Sequence, residues 1–186
     1  YSMANRFIKN LNICMRANPD KPILIHMKTC GGDWQEGIAI YNAIKACPNP
    51  VTILSYTHAR SMSSLIFLAA NKRVMMPDSW FMFHEGTLGF EGTVKQVRSM
   101  IETDAIANAR MLDIYVKALK EQGKFKHRSE KKTRELLINK MKDKEDVFLT
   151  PEQALVWGFA DEIFGHNEIG YDWSKLTEYT DAQLKR

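Results

Sequence analysis

The sequence is poor in the features that mark many specialised protein classes. Its three cysteines, Cys14, Cys30 and Cys47, are an odd number without a C-x-x-C pair, so neither a disulfide framework nor a zinc site is indicated. No apolar run approaches the roughly 20 residues that a membrane-spanning helix needs, and the mean hydropathy is −0.34. We therefore expect a globular protein of a reducing compartment, with the cytoplasm as the simplest location and no membrane partner.

Motifs for nucleotides and metals are missing as well. The chain has no G-x-x-x-x-G-K-[ST] P-loop, no G-x-G-x-x-G after a strand and no H-E-x-x-H metal motif. We therefore expect no cofactor, no metal and no ATP hydrolysis through a P-loop. Because residue 1 is Tyr rather than Met, a targeting segment upstream would not be visible in this sequence.

Positive charge is concentrated in one stretch of the chain. The formal charge is +4 overall, but residues 120–144 contain ten Lys or Arg and four Asp or Glu, a local +6 that leaves −2 elsewhere. This stretch could contact phosphates, yet its single aromatic residue, Phe125, offers little for base stacking. The pattern favours a solvated helical excursion over a nucleic-acid partner.

Hydrophobic periodicity predicts helices that alternate with strands. Strands followed by helices are typical of a largely parallel sheet covered by helices, whose ligands bind at the carboxyl ends of the strands. Helices are expected over residues 3 to about 18, 34 to about 47, 61–70, 93–120, 131–141 and 151–157, and strands over 22–27, 51–56, 73–76, 79–84 and 160–164. Residues 165–186 are expected to form a peripheral polar tail.

Two predicted strand ends carry residues that suit catalysis. Gly31 and Gly32 follow the first strand, where backbone without side chains can approach a substrate and point N–H groups at a developing negative charge. A tight turn is the competing interpretation. Ser61 lies between a strand and an apolar helix, either as a helix N-cap or as a nucleophile whose oxyanion the Met62 N–H would bind. Cys30 is a rival nucleophile, although a lone thiol in a turn is usually inert.

A serine nucleophile requires a base, and five histidines are available. His26 lies within the first strand, where a core or pairing role is expected, and His127 and His166 lie in solvated segments. His84 closes a predicted strand and is better positioned than His58, although spacing alone leaves both open. Spacing does not choose the orienting carboxylate either, because such a triad is defined by geometry.

Four segments together carry a more specific signal. They are CGGDWQEGIAIYNAI, ARSMSSLIFLAA, MPDSWFMFHEGTLG and DKEDVFLTPEQALVWGFADEI. In this order they resemble the glycine turn, the nucleophile turn, the histidine strand and the aspartate segment of the Clp protease proteolytic subunit family. The resemblance runs over about residues 5–164 and indicates a divergent member, compatible with a virus-encoded relative.

The resemblance implies a fold, an activity and a set of site residues. The fold would be an α/β spiral of βαβ units, shared with the crotonases, with a protruding long-helix handle. The activity would be that of a serine endopeptidase with Ser61 as nucleophile, His84 as base and Asp146 as the carboxylate that orients it. The N–H groups of Gly32 and Met62 would form the oxyanion hole.

The same resemblance implies how substrates bind and how subunits assemble. An extended peptide would pair as an added strand beside Gly31 and beside the segment that begins with Glu85 and Gly86. One domain would span residues 1–186, with a core of about 1–92 and 146–164, a handle of about 93–145 and the tail 165–186. Heptameric rings joined through the handle into a tetradecamer would enclose the sites, and a separate ATP-dependent unfoldase would deliver unfolded proteins.

Several positions depart from the family pattern. Thr29 and Cys30 replace Ser-Pro before the glycines, Arg60 and Ser63 replace small residues around the nucleophile, and Glu85 with Gly86 replaces Gln-Pro. Two alternatives therefore accompany the peptidase hypothesis. One is a weak or inactive ring subunit of the same fold, and the other is a crotonase-type acyl-CoA enzyme, whose oxyanion hole uses similar backbone donors.

Overall fold

Helices and strands alternate along residues 2–165, the part of the chain that the structure, a computed structural model, describes. This is the predicted α/β class. In chain order the elements are α1 (Met3–Ala17), β1 (Ile23–Thr29), α2 (Trp34–Ala46), β2 (Val51–Arg60), α3 (Met62–Leu68), β3 (Lys72–Met75), β4 (Trp80–Phe83), α4 (Val94–Glu121), α5 (Glu130–Lys144), β5 (Val147–Leu149), α6 (Pro151–Trp157) and β6 (Glu162–Ile163).

The sheet is built around β2, its longest strand. Strand β1 runs parallel along one edge of β2. Along the other edge, Thr52–Ser55 pair with β3 and His58–Arg60 pair with β4, both in parallel. The remaining strands extend the sheet, β6 parallel to β3 and β5 antiparallel to β4. Because β2 is shared by three neighbours, its carboxyl end is fixed from both sides.

An aromatic cluster packs β4 against helices α4 and α6. Phe81 stacks on Phe159 with ring centroids 4.4 Å apart, and Phe83 packs against Tyr115 and Trp157 at centroid distances of 5.6 and 6.1 Å. Burying one such side chain contributes about 1.5–3 kcal/mol to stability. The cluster therefore anchors β4 to α4 and α6, and His84 is the first residue after the strand.

Charged pairs connect β3 to the carboxyl-terminal strand β6. Asp161 accepts two hydrogen bonds from the Arg73 side chain, at 2.9 and 2.7 Å, and a third from its backbone N–H at 2.7 Å. Lys72 contacts Glu162 at 2.7 Å, with both side chains only 4% exposed. Buried charges of this kind need partners, so these contacts fix the register of β3 with β6.

The long helix α4 has two different halves. Its carboxyl-terminal half, from Met111 to Leu119, is largely buried in the main core. Its amino-terminal half carries exposed apolar residues, among them Val94, Ile101 and Ile106 at 78%, 55% and 71% exposure. Only this first half stands clear of the core. No helix within residues 2–165 is both long and apolar enough to cross a membrane.

The structure differs from the predictions at several strands. Strand β2 continues to Arg60 rather than ending at Tyr56, and β6 is only two residues long. Strand β5 was not predicted, because three residues are too few to show a periodicity of two. His26, for which a core or pairing role is expected, is exposed on β1 and has the pairing role, with its Nδ1 2.9 Å from the Tyr56 hydroxyl. The predicted tail lies outside the described residues apart from Gly165.

The turn after α4 crosses the end of α6 without intervening side chains. Gly123 has φ of 79°, and a Cβ on it would lie 2.3 Å from the Trp157 carbonyl oxygen. Gly158 has φ of 103°, and a Cβ there would lie 2.3 Å from the Gln122 carbonyl oxygen. The two glycines therefore permit a backbone-to-backbone contact that positions α4 over the sheet.

We predict that Gly123→Ala lowers the free energy of unfolding by at least about 2 kcal/mol, because positive-φ strain adds to displacement of the α6 backbone. The matched control is Gly165→Ala, since Gly165 has φ of 76° and a Cβ on it would meet no atom of residues 2–165 within 4 Å. That variant should lose only the strain component, about 1 kcal/mol. If urea unfolding showed that both variants lose the same free energy of unfolding, the contact between the turn after α4 and the end of α6 would not be tight.

Candidate active site

Strand register brings three distant parts of the chain to one edge of the sheet. Arg60 of β2 is paired with Met82 of β4, and Phe83 of β4 is paired with Val147 of β5. The residues that extend these pairs are Ser61, His84 and Asp146. Parallel strands end at a common edge, and the antiparallel β5 begins there, so the three side chains become neighbours.

The three side chains form a continuous hydrogen-bonded chain. The Nε2 atom of His84 lies 2.8 Å from Oγ of Ser61, and Nδ1 of His84 lies 2.9 Å from Oδ1 of Asp146. The His84 side chain is 19% exposed and that of Asp146 is 48% exposed. The imidazole therefore bridges a hydroxyl and a carboxylate, with the carboxylate end open to solvent.

Ser61 is held in an unusual backbone conformation. Its φ is 51° and its ψ is −134°, a region that residues with a Cβ seldom adopt. The Ser61 N–H donates to the Met82 carbonyl at 3.0 Å, and the Ser61 carbonyl accepts from the Ser64 N–H at 3.0 Å and from the Ser64 hydroxyl at 2.7 Å. These bonds offset the strain. Ser61 therefore forms the turn between β2 and α3, and its side chain does not cap the helix.

The residue before Asp146 is strained too. Glu145 has φ of 58° and ψ of −71°, and its N–H donates to the Met141 carbonyl at 2.7 Å. Within residues 2–165, positive φ outside glycine occurs only at Ser61 and Glu145. Such strain persists where the surroundings over-determine it, and here both instances adjoin the hydrogen-bonded chain.

The glycine turn lies against the turn of Ser61. A Cβ on Gly31 would lie 2.8 Å from Cβ of Ser61 and 3.0 Å from the Arg60 carbonyl oxygen, and the φ of Gly31 is 105°. Gly32 has φ of 147° and open space beside its Cα. The hydrogen bonds of the described residues include no acceptor for the Gly32 or Met62 N–H groups. Both are thus free to donate to a ligand.

Ser63 ties the two turns together. Its hydroxyl oxygen accepts from the Arg60 N–H at 3.0 Å and lies 2.7 Å from the Arg60 carbonyl and 3.1 Å from the Thr29 carbonyl. The Arg60 side chain also donates to the Cys30 carbonyl at 3.2 Å. The departures at Thr29, Cys30, Arg60 and Ser63 are therefore bonded to one another, and they hold the glycine turn against the Ser61 turn.

Ser64 connects the Ser61 turn to the core. Its hydroxyl donates to the Ser61 carbonyl, so the Tyr115 hydroxyl, 2.6 Å away, donates to Ser64 in turn. Both Ser64 and Tyr115 are 0% exposed. Burial raises the pKa of Tyr115 far above its ordinary value, outweighing the lowering effect of the Ser64 hydrogen bond. The phenol therefore remains a neutral donor in the folded protein.

Two cavities flank the segment that follows His84. One has a volume of about 480 Å³ and reaches Ser61, His84 and the amino-terminal half of α4. The other, of about 500 Å³, reaches His84, Asp146 and the lysines Lys142 and Lys144. Glu85 and Gly86 border both cavities. The predicted substrate-binding residues Gly31, Glu85 and Gly86 thus all adjoin the hydrogen-bonded chain or its cavities.

The competing candidates do not join this constellation. His58 is half-buried within β2, and its Nδ1 has no hydrogen-bond partner among the described residues. Cys30 is an exposed free cysteine. Among residues 2–165, no group of three or more His, Cys, Asp or Glu residues is arranged to hold a metal ion. The structure therefore brings together Ser61, His84 and Asp146.

Sequence reasoning missed the hydrogen-bonding roles of the two serines that follow the turn and of the tyrosine behind them. The available signal was a pair of hydroxyl residues, Ser63 and Ser64, in an otherwise apolar helix. A second missed feature is Asp104 on α4, which faces the 480 Å³ cavity together with Asn108. Its position could not be predicted, because the helix periodicity of that half of α4 does not indicate which face meets the Ser61 turn.

The fold and the side-chain arrangement define a class of protein. A serine hydroxyl in contact with an imidazole, itself in contact with a carboxylate, next to a glycine turn at the strand ends of an α/β sheet, is the arrangement seen in serine hydrolases. Comparison with known proteins narrows this class. The Clp protease family model matches residues 1–167, and the chain therefore belongs to the Clp protease family.

Individual relatives agree with this assignment. The chain is 28% identical over 163 residues to the ATP-dependent Clp protease proteolytic subunit of Deinococcus radiodurans, covering 87% of this chain and 74% of the relative. It is 29% identical over 167 residues to ATP-dependent Clp protease proteolytic subunit 3 of a Synechococcus strain, covering 88% and 77%. A mutant of ClpP1 from Listeria monocytogenes has a similar fold, with a TM-score of 0.70 at 21% identity over 88% of this chain and 84% of that one.

We predict that Tyr115→Phe destabilises the protein by about 1–2 kcal/mol at neutral pH, because the Ser64 oxygen loses its buried donor. The variant should also change how the free energy of unfolding falls at alkaline pH. In the unfolded chain the phenol ionises near its ordinary pKa of 10.0, whereas the folded protein keeps it neutral. Its contribution to the free energy of unfolding is thus full below that pH and falls by about 1.4 kcal/mol per pH unit above it.

Denaturant unfolding between pH 7 and 11 measures this contribution. Tyr115→Phe should show the shallower alkaline decline, and Ser64→Ala, which keeps the phenol buried, should be destabilised at pH 7 but retain the steep decline. Parallel alkaline limbs for wild type and Tyr115→Phe would contradict the buried, neutral phenol.

Proposed function

We propose that this chain is a serine endopeptidase that hydrolyses unfolded proteins inside an oligomeric chamber in the cytoplasm. Family membership supports peptidase activity. The observation that carries the serine mechanism is the contact of His84 with both Ser61, at 2.8 Å, and Asp146, at 2.9 Å. This geometry satisfies the distance requirement for a nucleophile, a base and an orienting carboxylate.

Acylation follows from these contacts. The Nε2 atom of His84 removes the proton from the Ser61 hydroxyl while Oγ attacks the peptide carbonyl carbon, giving a tetrahedral oxyanion. The free N–H groups of Gly32 and Met62 bind that oxyanion. When the C–N bond breaks, the imidazolium returns its proton to the leaving amine, and the acyl group remains on Ser61 as an ester.

Deacylation repeats the same proton transfers with water. His84 removes a proton from the water as its oxygen attacks the ester carbonyl, and then protonates Oγ of Ser61 as the acid product leaves. Asp146 holds the Nδ1–H tautomer and stabilises the imidazolium that forms in both steps. Because Asp146 is 48% exposed, solvent weakens this stabilisation in the isolated subunit.

The substrate is proposed to bind along the two backbone segments that border the site. We propose that an extended peptide lies between the glycine turn at Gly31 and the segment that starts at Glu85 and Gly86, forming main-chain hydrogen bonds as an added strand. A chain without its own tertiary structure adopts this conformation readily, so unfolded proteins and peptides are the expected substrates. The relatives named above are described as ATP-dependent, and since this chain has no P-loop, a partner unfoldase would hydrolyse the ATP.

Assembly is proposed from the exposed part of α4. The amino-terminal half of this helix presents apolar side chains, including Val94, Ile101 and Ile106, to solvent in the single chain. Apolar surface of this kind is usually covered by a partner, and a second copy of the chain accounts for it in heptameric rings joined into a tetradecamer. No observation in the structure favours the crotonase-type alternative, and an inactive ring subunit is the outcome that the next experiment tests.

We predict that Ser61→Ala, His84→Ala and Asp146→Ala each lower kcat/KM for a fluorogenic peptide. The loss should be at least about 1,000-fold for Ser61 and His84, which take part in bond making and proton transfer. It should be smaller for Asp146, because that carboxylate is partly solvated.

Matched variants distinguish the proposed mechanism from its rivals. Cys30→Ser and His58→Ala should keep most of the activity, and a fluorophosphonate probe should label wild type but not Ser61→Ala. An assembled wild-type ring that neither turns over peptide nor reacts with the probe would be an inactive subunit. Turnover in all three triad variants equal to that of the wild type would eliminate the mechanism.

We predict that Ile101→Glu combined with Ile106→Glu disrupts assembly, because two charges would be buried in an apolar contact between copies. Sedimentation velocity should show large wild-type particles and smaller ones for the double variant. Val156→Glu, a charge added at a residue of α6 that is 52% exposed, is the control and should leave the particles intact. A monomeric wild type would contradict the proposed chamber.

A further inference from the structure

The cavity beside Ser61 combines apolar walls with negative charge. Its volume is about 480 Å³, within the range of about 300–1,000 Å³ that is usual for ligand pockets. The apolar walls come from α3, from the segment after β4 and from α4, through Leu65, Leu88, Phe90 and Met111. Its carboxylates are those of Asp33, Glu85 and Asp104.

Asp104 is the carboxylate that the helix itself holds in place. It is half-buried on α4, and its Oδ2 accepts a hydrogen bond of 2.8 Å from the Asn108 side chain one turn later. An amide donor orients a carboxylate without neutralising it. The negative charge of Asp104 is therefore fixed against the cavity and is still available to a cation.

The cations around this cavity do not neutralise Asp104. Besides its three carboxylates, the only titratable groups that residues 2–165 contribute to the lining are His84, which is engaged with Asp146, and the buried phenol of Tyr115. Arg110 borders an adjoining cavity that shares Asp33 and Asp104. Among the ion pairs of residues 2–165, none joins Arg110 to either aspartate.

We propose that this cavity binds the substrate side chain on the amino-terminal side of the cleaved bond and selects lysine or arginine there. The aliphatic part of such a side chain packs against Leu65 and Met111, and its cationic group bonds to Asp104. This inference rests on the proposed peptidase function and specifies its substrate class.

Other side chains fit the cavity less well. An aliphatic side chain would cover the Asp104 carboxylate without giving it a cationic partner, and covering an unneutralised charge is unfavourable. An acidic side chain would meet three carboxylates of like charge. A lysine or arginine satisfies both the apolar walls and the charge.

The test measures kcat/KM for four fluorogenic peptides that differ only in the residue before the cleaved bond, which is Arg, Lys, Leu or Glu. The wild type should prefer Arg and Lys over Leu by about tenfold or more, since a charge-assisted hydrogen bond at a partly buried site supplies that discrimination. Asp104→Asn should reduce the Arg-to-Leu ratio by a similar factor, and Asp104→Lys should raise cleavage of the Glu peptide relative to the Arg peptide.

The matched control is Glu102→Gln, which removes one negative charge from an exposed position on the same helix and should leave the Arg-to-Leu ratio within about twofold, since exposed charges are screened. A preference for Leu in the wild type, or an unchanged ratio in Asp104→Asn, would overturn the inference while peptide cleavage still supported the proposed function. If no peptide were cleaved and Ser61 failed to react with a fluorophosphonate, the proposed function and this inference would fail together.

Discussion

The site depends on the pairing of β2 with β4 and of β4 with β5. Arg60 lies opposite Met82 and Phe83 lies opposite Val147, so the next residues along these strands meet at one edge. A shift of one residue in either pair would move the side chains by about 3.3 Å and turn them to the other face of the sheet. The aromatic cluster that packs against β4 therefore matters for function, because it anchors β4 and opposes such shifts.

Polar groups stabilise the strained turn that presents Ser61. Glycine or another small residue would relieve crowding around such a turn, whereas this chain places Arg60, Ser63 and Ser64 there. Their hydrogen bonds connect the turn to the Thr29 carbonyl and, through Tyr115, to the core. A buried network of this kind stabilises only when each member is satisfied. The departures from the family pattern at Thr29, Cys30, Arg60 and Ser63 thus form one mutually dependent set.

Lysines border His84 on one side only. The cavity that reaches α4 has carboxylates and no lysine in its lining, whereas the cavity that reaches α5 is lined by Lys142 and Lys144 together with Glu85, Glu145 and Asp146. These lysines belong to the basic stretch of residues 120–144, whose role the sequence alone does not indicate. In the folded chain part of that positive charge lies next to Asp146, where it can influence the carboxylate and a bound peptide. The end of the basic stretch therefore borders the site.

Local patterns in the sequence determined the helices, the first strands and the glycine and serine turns, because burial of one face imposes a readable period and a turn restricts its residues. They could not determine β5, which is too short, or the choice between His58 and His84. Tertiary structure decided that His84 contacts Ser61, that its carboxylate partner lies 62 residues further along the chain, and that Asp104 faces the cavity. Contacts between distant residues arise from strand register and helix packing, and neither leaves a periodic trace in the sequence.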